Sequence, residues 1–496
     1  MRRVVGLSFL IAGVFAVGMP AFCVGDQAPA MLPVSAEARV AIRQLIGDSM
    51  LDSKAYEYDR HLADLIGPRL TGSANYMRAA EWAQQEFRSL GLQNVHTEEW
   101  TIPATWEPEG PAVGRLVSPV EHTLHIYSVG WSPSTPHGGV KGDVVYVKSI
   151  TPADLDAQKE TLHGAVALVD EASFGEKAKL NAVFTGLEHL RSLGPAAILM
   201  PGGENGTENL TSLNFSGAVE PMPEAQVGHE DVLLMKRLLE HGPVKVEFSF
   251  ANHIRKEVKV PNVIAEIRGR ETPDEVVVVG AHLDSWNPGT GAQDNGTGAA
   301  TVLEVARAVE ALNRPPRRTM RFILFGGEEQ GLLGSTAYAR QHEAEMPKID
   351  AVVITDTGAE PAKGWYLMGR EDEKPAVASL SPLLAGLGAD GTSSDTEFLF
   401  ETDHAGFDVL GVPSLVLWND MDKYDKLHHQ ASDTFDSVVR GDLTQGATVT
   451  AVTAYAIADS SAPLGKHLSP DEVKAMLKKA GNLEEYEFLK SHGAIP

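Results

Sequence analysis

The run Val276-Val-Val-Val-Gly-Ala281 leads without interruption into His282-Leu-Asp284. A continuous β-branched run of this kind is typical of a strand that is buried on both faces, as in a parallel sheet. A helix, a strand, a helix and a strand follow in turn, an alternation that predicts an α/β fold with a mostly parallel mixed sheet and helices on both faces. These four predicted elements are 301–312, 319–325, 332–342 and 351–355.

Three predicted strands end at residues that can bind a metal ion. The first ends at His282, the second leads into Glu328 and Glu329, and the third leads into Asp356. Ligands of open α/β sheets bind beyond the carboxyl ends of the strands. We therefore expect these side chains to converge on one cleft.

The segment after the first strand has features of a metal-binding loop. His282 and Asp284 point to the same side of an extended chain, and a metal-binding imidazole commonly gives its second nitrogen to a carboxylate or carbonyl. Asp284 is a candidate for that contact. The residues at 287–291 are rich in Asn, Pro and Gly, which favours a tight turn that folds Asp294 back beside His282.

The adjacent glutamates suggest a division of labour. Glu328 and Glu329 point in opposite directions in an extended segment, so one can hold a metal while the other takes a proton from a water molecule. A second histidine ligand is expected from His428-His429. The resulting nitrogen and oxygen ligands suit two zinc ions that share a carboxylate. The candidate ligands are His282, Asp294, Glu329, Asp356 and His429.

Charge and cysteine content exclude several classes of protein. Asp and Glu number 67 against 42 Lys and Arg, for a net charge of -25, which argues against a nucleic-acid-binding protein. The single cysteine, Cys23, excludes an intramolecular disulfide, a cysteine protease and a thiolate zinc site.

The N-terminus has the pattern of a secretory signal peptide. Arg2 and Arg3 precede a short apolar run at 4–17 and a small-residue exit. No segment of the sequence is long and apolar enough for a comfortable transmembrane span, so we expect a periplasmic or secreted protein. Lipoprotein anchoring through Cys23 is disfavoured, because Pro20-Ala21-Phe22 makes a poor lipobox.

Four motifs contain the candidate residues: His282-Leu-Asp-Ser-Trp286, Gly291-Ala-Gln-Asp-Asn-Gly296, Gly327-Glu-Glu-Gln-Gly331, and His428-His429 ahead of Asp433-Thr434. Each is weak alone, but together they resemble the co-catalytic two-zinc peptidase family of bacterial leucyl aminopeptidases, glutamate carboxypeptidase and carboxypeptidase Q. The sequence resembles carboxypeptidase Q most, and the similarity runs from about Gly67 to about residue 460.

The resemblance implies a role for each candidate. Glu328 would be the general base and Asp284 would orient the ligands from behind, while Asn295 replaces an acid that is often found after the bridging aspartate. One zinc would be held by His282 and Asp356 and the other by Glu329 and His429, with Asp294 as the bridge.

The substrate pocket is less closely determined. In the family, a tyrosine or histidine near the last ligand stabilises the tetrahedral intermediate, and Tyr424 and His428 both remain candidates for that role. Asp403 and His404 precede a loop that borders the substrate pocket in relatives, so they are candidate pocket residues.

The resemblance also implies a domain organisation. The segment 124–252 changes to short β-rich runs without a titratable cluster, as expected for an inserted protease-associated α/β domain. The expected segments are a signal peptide at 1–25, the catalytic domain at 26–123 and 253–462, the insert at 124–252, and a C-terminal helical tail at 463–496. The charged helices of this tail suggest a peripheral position.

Motifs and resemblance together predict an exported exopeptidase that hydrolyses terminal peptide bonds of short peptides with a metal-activated water. It would be an aminopeptidase or a dipeptidase similar to carboxypeptidase Q, with two Zn²⁺ per chain and Co²⁺ or Mn²⁺ as substitutes; a homodimer is left open. One alternative is a non-catalytic binding protein on the same fold. Another is an acyltransferase of the glutaminyl cyclase type, against which the complete two-metal set argues.

Overall fold

The computed structural model describes residues 31–174, 179–203 and 216–496. The expected signal peptide and Cys23 lie outside these residues. Among the residues described, no helix combines the length and apolar character needed to cross a membrane.

The main sheet of the described chain is mixed, which confirms the predicted α/β class. Its strands are β1 (Gln93–Pro108), β10 (Asn252–Ile267), β11 (Thr272–His282), β12 (Arg318–Phe325), β13 (Ile349–Ile354), β14 (Ala362–Tyr366), β15 (Gly391–Ser393) and β16 (Ser414–Asn419). They lie in the order β1-β10-β12-β11-β13-β16-β14-β15. The central strands β12, β11, β13 and β16 are parallel, and β10 and β14 run antiparallel to them.

The helices begin and end as follows. The longer ones are α1 (Ala36–Asp52), α2 (Ala74–Ser89), α3 (Leu180–Ser192), α4 (His229–Leu239), α5 (Thr297–Ala311), α6 (Leu333–Gln341), α7 (Arg440–Asp459), α8 (Pro470–Ala480) and α9 (Leu483–Ser491). Short helical turns occupy Ala55–Arg60, His61–Ile66, Pro152–Asp156, Lys159–Leu162, Glu171–Ser173, Ala292–Gly296, Glu343–Lys348, Lys374–Ala378, Ser381–Leu384, Ala385–Leu387, Glu397–Phe400, Ala405–Asp408, Tyr424–Leu427 and Phe435–Ser437.

Both faces of the main sheet are covered, and β11 shows why its sequence is continuously apolar. Val277 and Val279 belong to the core that includes α5 and α7, whereas Val276 and Val278 belong to the core that includes α6, α8 and α9. Successive side chains of a strand point to opposite faces, so a strand between two cores needs an apolar residue at every position. Full burial of each such side chain stabilises the fold by about 1.5–3 kcal/mol.

The C-terminal segment is helical and belongs to the core rather than to the periphery. Val473 and Leu477 of α8 and Tyr486 and Leu489 of α9 are buried. The backbone carbonyl of Ala494 also accepts a hydrogen bond from a threonine hydroxyl of α6 at 2.6 Å. The tail therefore covers one face of the main sheet.

The second sheet forms a separate layer with its own core. It contains β2 (Val113–Ser118), β3 (His122–Leu124), β4 (Ile126–Ser128), β5 (Val140–Val147), β6 (Val166–Val169), β7 (Ala197–Pro201), β8 (Glu224–Val227) and β9 (Lys245–Ser249). Because β2 pairs with both β3 and β9, this sheet begins before the expected boundary at 124. We propose that the insert spans 113–249. Its first two strands are short and only partly buried, so their sequence carries little pattern.

Candidate metal centre

The carboxyl ends of β12, β11 and β13 lie side by side, as the strand order requires. They bring Glu328, His282 and Asp356 together at one edge of the sheet. The Nε2 atom of His282 lies 3.0 Å from Oδ1 of Asp356, 3.2 Å from Oδ1 of Asp294 and 3.9 Å from Oε2 of Glu328. These side chains form the first of two adjacent groups.

The second group forms around His429. Its Nε2 atom lies 3.0 Å from Oε2 of Glu329 and 3.4 Å from Oδ2 of Asp294. Asp294 thus presents Oδ1 to His282 and Oδ2 to His429, so that one carboxylate faces both groups. His429 has a left-handed backbone with φ of 57°, a conformation that is uncommon for non-glycine residues.

The chemistry of these groups fits divalent cations. Three sets of three side chains have potential ligand atoms within 4.8 Å of one another. Within the described part of the chain, no Lys or Arg forms an ion pair with the carboxylates of Asp294, Glu328, Glu329 and Asp356. In the same part, Oε1 of Glu329 is buried without a hydrogen-bond partner. Buried carboxylates are normally paired or coordinate metals. The sets are Asp294, His428 and His429; His282, Glu328 and Asp356; and His282, Asp294 and Glu329.

Asp284 contacts both strand ends from behind the candidate ligands. Its backbone carbonyl lies 3.0 Å from Nδ1 of His282, so the backbone, rather than the carboxylate, takes the second imidazole nitrogen. The carboxylate accepts hydrogen bonds from the Thr71 hydroxyl at 2.7 Å and from the backbone N–H groups of Glu328 and Glu329 at 3.4 and 3.3 Å. Asp284 therefore orients the histidine and the glutamate pair together.

The loop to Asp294 turns back as the sequence predicts. Gly291 has φ of 61°, and a Cβ atom there would lie 2.2 Å from Cβ of Ser285, so only glycine fits. The backbone N–H groups of Gln293 and Asp294 donate to the Asp433 carboxylate at 2.7 and 3.1 Å. Asp433 belongs to one of the sequence motifs, but the sequence carries no signal of this anchoring contact.

Asn295 points away from the candidate ligands. Its Oδ1 atom accepts from the Gly298 backbone N–H at 2.9 Å, and its Nδ2 atom donates to the Thr355 carbonyl at 2.9 Å. The asparagine therefore joins the start of α5 to the end of β13, and these contacts use the amide group that an aspartate lacks.

The electrostatics of the glutamate pair reflect burial and crowding. Burial is the largest effect that raises the pKa of Glu328 well above its usual value; Asp356 raises it further, and His282 opposes the rise. Burial likewise raises the pKa of Glu329. A bound cation is often the largest local charge in such a site, and it lowers the pKa values of the carboxyl groups around it. The pair is therefore suited to a cation-occupied site.

The structure separates the four candidate pocket residues. The buried ring of Tyr424 stacks on His428 with ring centroids 5.1 Å apart, and His428 stacks on His429 at 3.7 Å. The His428 side chain is 44% exposed and reaches the surface. Asp403 and His404 are fully buried, and burial raises the pKa of Asp403 to about 8. Asp403 and His404 lie beneath the site. Their burial does not support a contact with substrate, which stays a prediction.

A sheet edge at which histidines and carboxylates form two such adjacent groups is typical of a metallopeptidase. Residues 262–454 match the model of peptidase family M28. Carboxypeptidase Q of Rattus norvegicus is 31% identical over 419 residues, which cover 82% of this chain and 86% of the rat protein. The chain belongs to peptidase family M28.

Two further relatives extend over most of the chain. The "Probable lipoprotein aminopeptidase LpqL" of Mycobacterium tuberculosis is 26% identical, over 90% of this chain and 92% of that protein. The crystal structure of a peptidase M28 precursor from Shewanella amazonensis is 28% identical with a TM-score of 0.77, and the match covers 87% of this chain and 98% of that one. The likeness therefore includes the second sheet as well as the metal centre.

Proposed function

We propose that this metallopeptidase is an exported, zinc-dependent exopeptidase that acts on short peptides. The observation that carries the proposal is the position of Asp294, with one carboxylate oxygen toward His282 and the other toward His429. The similarity to carboxypeptidase Q and to an aminopeptidase supports the exopeptidase class.

Each group of side chains would hold one zinc ion. His282 and Asp356 would bind the first and His429 and Glu329 the second, with Asp294 between them. Zinc in such a site lowers the pKa of a water molecule and polarises a carbonyl group. The nitrogen and oxygen donors present here are ones that zinc accepts.

Glu328 would act as the general base. Its carboxylate lies farther from His282 than those of Asp356 and Asp294 do, while its backbone N–H is held by Asp284. A carboxylate outside the ligand set can accept a proton from the attacking water and return it to the leaving amine. Tyr424 and His428 remain the candidates for stabilising the developing oxyanion.

Export and the insert complete the proposal. The pattern of the first 25 residues supports secretion or periplasmic localisation.

The second sheet between Val113 and Ser249 would be the protease-associated domain. Trp131 from this region packs edge-on against Trp286, with ring centroids 6.2 Å apart. Trp286 in turn lies 6.2 Å from His429 between ring centroids, so the insert contributes to the packing beneath the metal centre.

A panel of short peptides tests the exopeptidase class and its polarity. We expect cleavage of free di- and tripeptides and no cleavage of peptides blocked at both termini, because an exopeptidase must recognise a charged terminus. Mass spectrometry of N-acetylated and C-amidated versions identifies the terminus that is needed. The Glu328→Gln variant serves as the blank, and cleavage of doubly blocked peptides above that blank would exclude an exopeptidase.

A further inference from the structure

Arg69 is a buried cation with an unusual set of partners. Its side chain is fully buried, yet within the described residues it forms no ion pair with a carboxylate. The guanidinium instead donates to backbone carbonyls of Leu283 at 2.9 Å, Thr290 at 2.8 Å and Gly291 at 2.7 Å. Longer hydrogen bonds reach the carbonyls of Gly67 at 3.2 Å and Leu62 at 3.4 Å.

The three closest of these carbonyls, of Leu283, Thr290 and Gly291, lie at both ends of the proposed metal-binding loop. Leu283 follows His282 directly, and Gly291 precedes Asp294 by three residues. The backbone of Arg69 adds two contacts to the same loop, since its N–H donates to the Ser285 hydroxyl at 3.0 Å and its carbonyl accepts from the Ser285 N–H at 3.3 Å. One side chain therefore ties together the two ends of a loop that carries a candidate ligand at each end.

The buried charge of Arg69 is balanced at longer range. Asp59, Asp433, Asp284 and Asp294 all act on the guanidinium electrostatically. Asp59 is itself fully buried, and neither of its carboxylate oxygens has a hydrogen-bond partner in the described part of the chain. It packs against Gly296, where a Cβ atom would lie 2.3 Å from Oδ1 of Asp59. The aspartates around position 69 therefore favour its positive charge without a direct ion pair.

We propose that Arg69 is a positioning residue that holds His282 and Asp294 at the separation needed to bind metal, so that the centre is formed before the metal arrives. The inference rests on the proposed function, because it assumes that these two residues are ligands. The planar, rigid fork of arginine can contact several carbonyls at once, whereas the single ammonium group of lysine cannot match that geometry.

Zinc titration of the metal-free protein tests this role by a readout other than activity. We expect Arg69→Ala to weaken zinc binding by about 10- to 100-fold, the effect typical of removing an outer partner of a metal site. Guanidinium ion at concentrations far below those that denature proteins should restore part of the affinity, whereas equal ionic strength from sodium chloride should not.

Arg318 provides the matched control. It is also buried and donates to two backbone carbonyls, of Ile457 at 3.2 Å and Ser460 at 2.7 Å. Unlike Arg69 it also pairs with Glu275 at 2.8 Å, and it lies at the start of β12, whereas the metal centre lies at the other end of that strand. Arg318→Ala should lower the melting temperature and leave zinc affinity unchanged. Arg69→Lys is the second test variant, and carries the test if Arg69→Ala does not fold.

The outcomes separate the positioning role from the proposed function. Wild-type affinity in Arg69→Ala, or in Arg69→Lys where the alanine variant does not fold, overturns the role of Arg69. Equal loss of affinity in Arg318→Ala also overturns it, since the effect would then be general loosening. Failure of the wild-type protein to bind zinc would instead contradict the proposed function.

Discussion

Glu328→Gln is expected to lower turnover of a free dipeptide by about 10²- to 10⁴-fold, the usual contribution of a general base, while the protein retains its metal. Glutamine matches glutamate in size but cannot accept the proton from the attacking water. The backbone at this position should stay in place, because Asp284 holds the N–H of Glu328. Steady-state kinetics and elemental analysis of the same preparation measure both quantities.

The neighbouring glutamate provides the control. Glu329 lies 3.0 Å from His429, so Glu329→Gln should lose metal as well as activity. An unchanged rate in Glu328→Gln would show that another group is the base. If Glu328→Gln lost metal and Glu329→Gln kept it, the two roles would be exchanged.

Asp294→Asn is expected to abolish both turnover and normal metal content. An amide has one oxygen that can coordinate, so it could not bridge the two ions that we expect beside His282 and His429. Loss of an outer partner of a metal ligand lowers metal affinity by up to about 100-fold. We expect Asp294→Asn to lower zinc affinity by more than that. Titration of the metal-free variant with zinc measures this loss.

Asn295→Ala is the matched control for Asp294→Asn. Asn295 is the adjacent residue, and its side chain contacts Gly298 and Thr355 rather than the ligand atoms. This variant should lower stability and keep zinc. Retention of two tightly bound zinc ions by Asp294→Asn would mean that Asp294 is not the shared ligand.

The positions of the candidate site residues could be predicted because they follow from local pattern and sheet topology. The uninterrupted apolar run in β11 indicated a buried parallel strand, and parallel strands end at the same edge of a sheet. His282, Glu328 and Asp356 therefore converge as expected. The turn before Asp294 was also predictable, since its glycine is required by a contact within the same loop.

The supporting residues were not predictable, because their contacts connect distant parts of the chain. Arg69 and Thr71 bond to residues more than 200 positions away, and Asp433 bonds to the backbone near Asp294 across about 140 positions. No periodicity in the sequence reports such pairs. The resemblance begins at the Gly67-Pro-Arg-Leu stretch, and that is the one available signal for Arg69.

The burial of two further segments could not be predicted from the sequence. Asp403 and His404 carry polar side chains at a position that suggested a pocket, yet both are fully buried. The charged helices of the last segment suggested a peripheral tail, yet their apolar residues complete a core of the main sheet. In both cases the sequence shows the residue type, whereas the packing partner comes from a distant element.

Elemental analysis of the purified wild-type chain tests the central claim most directly. The arrangement around Asp294 predicts about two zinc ions per chain, as expected for two-metal hydrolysis, with activity that disappears on chelation and returns with zinc. A carefully prepared protein that contains no bound divalent metal and cleaves peptides regardless of chelator would contradict it.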